Sequence, residues 1–261
     1  MSMIEVIEKT ASPGRTPIVF VHGASSSADV WDGNFLDFFA ERGYRAIALS
    51  LRGHGASTLT QPLRRVSIAN YVEDLTAVVS EIAPAPVLIG HSTGCWVVLN
   101  YIAQQYVPAA VLIAPGTPQG LRRWAFRAFL RHPWLMLRSN TLGNPVDLFH
   151  TPGLAREILF APSCPDSVVE AFVSRLQPES PRAARDTVKP LPSPSAISAP
   201  MLVVGAAQDA SRVEEDAAAV AARYGAQLEI IMGVGHAMML EPRWTTAAER
   251  IASWLRGQGI S

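Results

Sequence analysis

Apolar residues along this chain follow two rhythms. Short β-branched or aliphatic runs at 18–22, 46–50, 87–90, 110–114, 201–205 and 228–232 read as strands. Between them, apolar residues spaced three and four apart predict helices over 35–42, 68–82, 93–105, 214–223 and 244–256. Strands alternating with helices of this length argue for a mostly parallel sheet covered on both faces, and unbroken runs such as Val87-Leu88-Ile89 suit strands with no wet face. The expected class is therefore α/β, a mostly parallel sheet flanked by helices.

The alternation stops between Pro115 and Pro200. That stretch carries an aromatic segment with Trp124, Phe126, Phe129 and Trp134, then Pro-punctuated helical pieces and a Pro-rich connector. Two further good strands are not found in it, so it reads as a helical cap, 116–199, inserted into a core made of 1–115 and 200–261.

Composition narrows the function. Of 261 residues 49% are hydrophobic, enough to bury one large core. Basic and acidic residues both number 22, which argues against a nucleic-acid partner. Neither a signal peptide nor an apolar run of ~18 residues is read, and Cys95 and Cys164 read as two reduced thiols, so a cytoplasmic enzyme is expected. No metal-ligating or nucleotide-binding pattern is present, and no cofactor is expected.

The strongest chemical signal is Gly90-His91-Ser92-Thr93-Gly94, which follows a strand and opens a helix. A sharp strand-to-helix turn exposes a serine there, and it closes only if small residues flank it. A serine hydroxyl needs a base to take its proton. Of six histidines, His236 lies in Gly233-Val234-Gly235-His236 directly after the last strand, on the sheet edge that also holds Ser92. His91, the neighbour of Ser92, is expected to point away from the reacting face. Asp209, at the end of the fifth predicted strand, is the acid expected to steady His236; Glu214, Glu215 and Asp216 suit a helix start better. The order Ser92, Asp209, His236 is that of α/β hydrolases.

Together with His22-Gly23-Ala24, with Arg52-Gly53-His54-Gly55 and with Gly235-His236-Ala237-Met238-Met239-Leu240-Glu241-Pro242, this motif resembles the α/β-hydrolase superfamily, most of all its bacterial esterase and lysophospholipase-like serine hydrolases. The resemblance implies an oxyanion hole made by the backbone N–H groups of Ala24 and Thr93. It also implies a supporting role for His22 and the 52–57 loop. Ser25, Trp124 and Met238 are the expected substrate contacts. Cys95 stands where many relatives have glycine, and reads as a packed helix residue, not a second nucleophile.

These readings converge on a serine hydrolase of carboxylic esters working through an acyl-enzyme. A carbon–carbon bond hydrolase, thioesterase or lactonase could use the same groups, and a ligand-binding protein could use the same scaffold. The substrate is expected to be a small lipophilic ester. The insertion carries ten basic and six acidic residues, which would suit contact with an anionic membrane, but a solvated lid helix is the preferred reading.

Overall fold

The computed structural model describes residues 3–11, 16–119, 126, 129–130, 132–134, 148–209 and 213–260. Trp124 and most of the basic aromatic segment around it lie outside the described residues.

Among the described residues, seven strands form one sheet. They are β1 (Val6–Lys9), β2 (Pro17–Val21), β3 (Arg45–Leu49), β4 (Val87–His91), β5 (Ala110–Ile113), β6 (Met201–Ala206) and β7 (Gln227–Ile231), in the order β1-β3-β2-β4-β5-β6-β7. Every neighbouring pair is parallel except β1 with β3. The six strands expected from the apolar runs are all present, each within a residue of its expected ends. The seventh, β1, was not expected. It is a four-residue edge strand, Val-Ile-Glu-Lys, half-buried at alternate positions and exposed at the others, so its hydrophobic signal is too short to stand out.

Five helices match the expected ones: α1 (Phe35–Glu41), α2 (Ile68–Ser80), α3 (Thr93–Ile102), then α7 (Val213–Tyr224) and α8 (Trp244–Gly257) after β6. Between β5 and β6 lie α4 (Pro152–Leu159), α5 (Asp166–Val173) and α6 (Pro181–Asp186). No described helix is long and apolar enough to cross a membrane. Helix α2 starts where it does because Ser67 and Asn70 form a reciprocal cap, each side chain accepting the other's backbone N–H.

Because side chains alternate across a strand, the sheet divides the core into two layers. Ile18, Phe20, Ile89, Val111 and Val204 face α1 and α8, whereas Val19, Val21, Leu88, Leu112 and Val203 face α2, α3 and α7. Phe20 is fully buried against Trp31, Phe35 and Phe39, with ring centroids 5.2–6.3 Å apart. Burying one such ring stabilises by about 1.5–3 kcal/mol.

The strand order positions the site. From β2 the chain goes first to β3 on one side, then returns to β4 on the other. The loops leaving the carboxyl ends of β2 and β4 therefore diverge and leave a crevice, the usual ligand position in open α/β sheets.

Candidate active site

Ser92 follows β4 at this crevice with φ +50° and ψ −117°, a backbone conformation that side chains other than glycine rarely adopt. The turn holds because its flanks are stripped. A Cβ on Gly90 would lie 2.6 Å from the Gly94 carbonyl oxygen, and one on Gly94 would meet the backbone oxygens of Val21 and His22. Ser92 N–H donates to the carbonyl of Ile113 at 3.0 Å, which ties the elbow to β5. Thr93 begins α3, so its N–H is one of the helix's first amides and has no intrahelical acceptor.

The loop after β7 brings His236 to the same place. Its Nδ1 pairs with Asp209 Oδ2 at 2.7 Å, and the Asp209 side chain is fully buried. Asp209 comes from the loop after β6, as expected, and Gln208 N–H donates to the Val234 carbonyl at 3.1 Å, joining the two loops. Glu215, one of the alternative acids, is exposed at the start of α7. Ser92 and His236 line one cavity of about 60 Å³, together with Ala24, Ser26 and an apolar wall including Val30, Phe149, Leu159 and Phe172.

Three expectations need restating against this geometry. His91 does not point away: it lines the cavity, donates through Nε2 to the His236 carbonyl at 3.0 Å and lies with its ring 4.9 Å from that of His236. The shared carbonyl draws it there, and burial, then the neighbouring imidazole's charge, hold His91 well below the usual histidine range, hence neutral. Ser25 is fully buried, and its neighbours Ala24 and Ser26 line the cavity instead. Met238 is likewise packed in the core, while Ala237, Met239 and Leu240 face the cavity.

The loop after β2 is braced from below. His22 accepts the Leu51 N–H at Nε2 (3.0 Å), so its proton sits on Nδ1, which donates to the Gly23 carbonyl at 2.7 Å. Burial, with the His54 charge second, pushes its pKa down to about 3 and keeps it neutral. Arg52 is locked to Asp74 at 2.6 Å with little exposure of either, fixing the 52–57 loop beneath it. Cys95 is fully buried behind the elbow, its thiol held protonated by burial and near the Gly90 carbonyl at 3.2 Å. It packs, as expected.

Two buried carboxylates tie the helical stretch between β5 and β6 to these loops. Glu241 Oε1 accepts from Gly235 N–H at 2.7 Å and from Ala161 N–H at 3.0 Å, just after α4. Glu179 accepts the Ser25 N–H at 3.0 Å and the Tyr71 hydroxyl at 2.7 Å. Glu241 stands in the glycine-histidine motif and was open to notice; Glu179 sits in no local pattern. Among the described residues, no group of three or more His, Cys, Asp or Glu side chains could hold a metal ion.

An open α/β sheet with a strained serine, a histidine and an aspartate at its switch-point crevice is the architecture of an α/β hydrolase. The chain belongs to that family: the alpha/beta hydrolase family model matches residues 18–248. It is 36% identical over 149 residues to a non-heme haloperoxidase of Rhodococcus erythropolis, covering 56% of this chain and 48% of that protein. It is also 36% identical over 120 residues to a bifunctional esterase/perhydrolase of Acinetobacter calcoaceticus, covering 44% and 42%. The chain thus spans about half the length of the curated relatives it matches. Its fold is similar to that of a thermophilic esterase from Thermogutta terrifontis, with a TM-score of 0.77, 18% identity, and 98% and 93% of the two chains covered.

Proposed function

We propose that the chain is a serine hydrolase of carboxylic esters. Ser92 attacks the ester carbonyl as His236 takes its proton, and Asp209 stabilises the imidazolium. The alcohol leaves with that proton, and water, deprotonated in turn by His236, releases the acid from the acyl-serine. The N–H groups of Ala24 and Thr93 hold the oxyanion formed in both steps. The observation that carries this reading is the shared cavity of Ser92 and His236, with Asp209 2.7 Å behind the imidazole.

The cavity also bears on the substrate. At about 60 Å³ and lined by Val30, Phe149, Leu159 and Phe172, it suits a short apolar acyl group. A cavity of about 150 Å³ is what takes benzene, so an acyl chain of about two to four carbons is the fitting class. The insertion 116–199 acts as the cap over this acyl group.

Hydrolysis of p-nitrophenyl acetate, butyrate and octanoate by wild type and Ser92→Ala tests both points. The expected result is a loss of several orders of magnitude in kcat for Ser92→Ala, with acetate or butyrate preferred over octanoate. Wild-type activity in Ser92→Ala would overturn the reading.

The similarity to the haloperoxidase and the esterase/perhydrolase favours one second reading. If hydrogen peroxide replaces water in the second step, the acyl-serine yields a peroxy acid and free Ser92. Peroxy acid formed from an acetate ester and peroxide, and absent with Ser92→Ala, is the expected signature; hydrolysis without peroxy acid rejects it.

A further inference from the structure

The stretch 177–179, just beyond α5, grips a single residue of the loop after β2 from both sides. Ser25 donates its N–H to Glu179 Oε2 at 3.0 Å, and its carbonyl accepts from Gln177 N–H at 3.0 Å. Ser25 has φ +57°, in the left-handed region that a serine seldom occupies. An isolated loop would relax from it. Here both polar groups of its backbone are held in place.

Peptide planarity carries that grip to Ala24. The Ala24 N–H shares a rigid plane with the Gly23 carbonyl, and His22 Nδ1–H fixes that carbonyl. The next plane contains the Ala24 carbonyl and the Ser25 N–H, and Glu179 fixes the latter. With the planes on both sides of the Ala24 Cα held, little rotation is left to it, and the direction of the Ala24 N–H is set.

Glu179 is suited to the task. It is 3% exposed. Besides Ser25 it is bonded by the Tyr71 hydroxyl at 2.7 Å and Ser180 N–H at 2.6 Å, and it faces His54 at 3.5 Å. Burial works against its charge, but the His54 charge and these hydrogen bonds outweigh burial and keep it ionised. Gln177 adds two ties, accepting the Gly55 N–H at 2.7 Å and reaching Ser27 Oγ at 3.3 Å.

We propose that Glu179 is a positioning residue for ester hydrolysis: by holding the Ser25 amide it aims the Ala24 N–H at the developing oxyanion. The proposal rests on the serine-hydrolase reading. It also couples the acyl cavity to the oxyanion hole, because Glu179 follows α5, whose Phe172 lines that cavity.

The test compares wild type, Ser92→Ala and Glu179→Gln on p-nitrophenyl acetate. Rates are normalised to competent sites counted with a fluorophosphonate, and inhibition by a trifluoromethyl ketone, which adds Ser92 as an oxyanion, is measured alongside. Glu179→Gln is expected to lower kcat about ten- to hundredfold with KM within about twofold. Its affinity for the ketone should fall by the same factor as kcat/KM.

Unchanged kcat and ketone affinity in Glu179→Gln would overturn the proposal. So would a loss explained by fewer competent sites. Should Glu179→Gln not fold, Glu179→Asp draws the carboxylate back by one methylene and is expected to show the same split; an Asp variant of wild-type kcat overturns the idea. Wild type with no Ser92-dependent hydrolysis overturns the hydrolase reading and this proposal together. An active wild type beside an unaffected Glu179 variant overturns this proposal alone.

Discussion

His91 donates through Nε2 to the main-chain carbonyl of His236 at 3.0 Å, so the residue before the elbow serine holds the loop of the proposed base. His91→Phe keeps an aromatic ring but removes the donor. About a tenfold fall in kcat on p-nitrophenyl acetate is expected, because the imidazole loses its fixed approach to Ser92. Leaving the part-buried carbonyl unpaired should also cost about 1 kcal/mol of stability, read from urea unfolding.

The elbow stores backbone strain at the proposed nucleophile. Ser92 at φ +50° and ψ −117° should be destabilising relative to glycine there. Ser92→Gly is expected to abolish hydrolysis yet raise stability by about 1 kcal/mol, the strain relieved exceeding the added entropy of the unfolded chain. Gly94→Ala should do the opposite. Its methyl would meet the Val21 and His22 carbonyl oxygens, backbone that cannot retreat, so a loss of several kcal/mol or no soluble protein is expected. Thermal unfolding of the two variants checks both signs.

Acid should weaken the fold through its buried neutral histidines. His22 is pushed down to about 3 and His91 well below its ordinary value, in both cases first by burial. Below about pH 6.5 the unfolded chain takes up these protons and the folded chain does not, so stability falls as pH drops, by about 1.4 kcal/mol per pH unit for each group. His54 is shifted the other way: burial lowers it, but Glu179 outweighs burial and raises it. It therefore contributes stability that is whole below 6.5 and lost as pH rises through its folded value, and it adds no slope on the acid side. Urea midpoints between pH 5 and 6.5 should decline in wild type and decline less steeply in His91→Gln.

Phe172 closes the cavity and packs on Phe160 at 5.4 Å between ring centroids. Phe172→Leu should lengthen the preferred acyl chain at a cost of about 1 kcal/mol in stability. The measurement is the kcat/KM ratio of p-nitrophenyl butyrate to hexanoate. A ratio unmoved by the substitution would mean that the acyl group does not enter this cavity.

Much of the fold was legible because its signals are local. Buried strands such as Val87-Leu88-Ile89 are apolar on both faces, and α2 announces itself with Ser67 and Asn70. β1 was missed because four residues with two charges carry no pattern, and its pairing with β3 joins Val6 to Leu49 across more than forty residues. Ser92, Asp209 and His236 could be picked out because each stands at a strand's end in a recognisable turn. His91 was misjudged for the converse reason: side-chain direction on the elbow depends on a carbonyl 145 residues away.

The sequence by itself determined the class of fold, the elbow around Ser92 and the three groups set at one edge of the sheet, since strand periodicity and turn chemistry act within a few residues. Only the tertiary structure decided which serine of the 25–27 loop faces the cavity, that Met238 is core, and that Glu179 and Glu241 bind the stretch between β5 and β6 to the loops after β2 and β7. Those outcomes depend on which backbone amides remain unpaired once the sheet and helices are packed. A buried carboxylate is held where it finds such donors, and Ser25 N–H and Gly235 N–H exist as partners for Glu179 and Glu241 only in the folded chain.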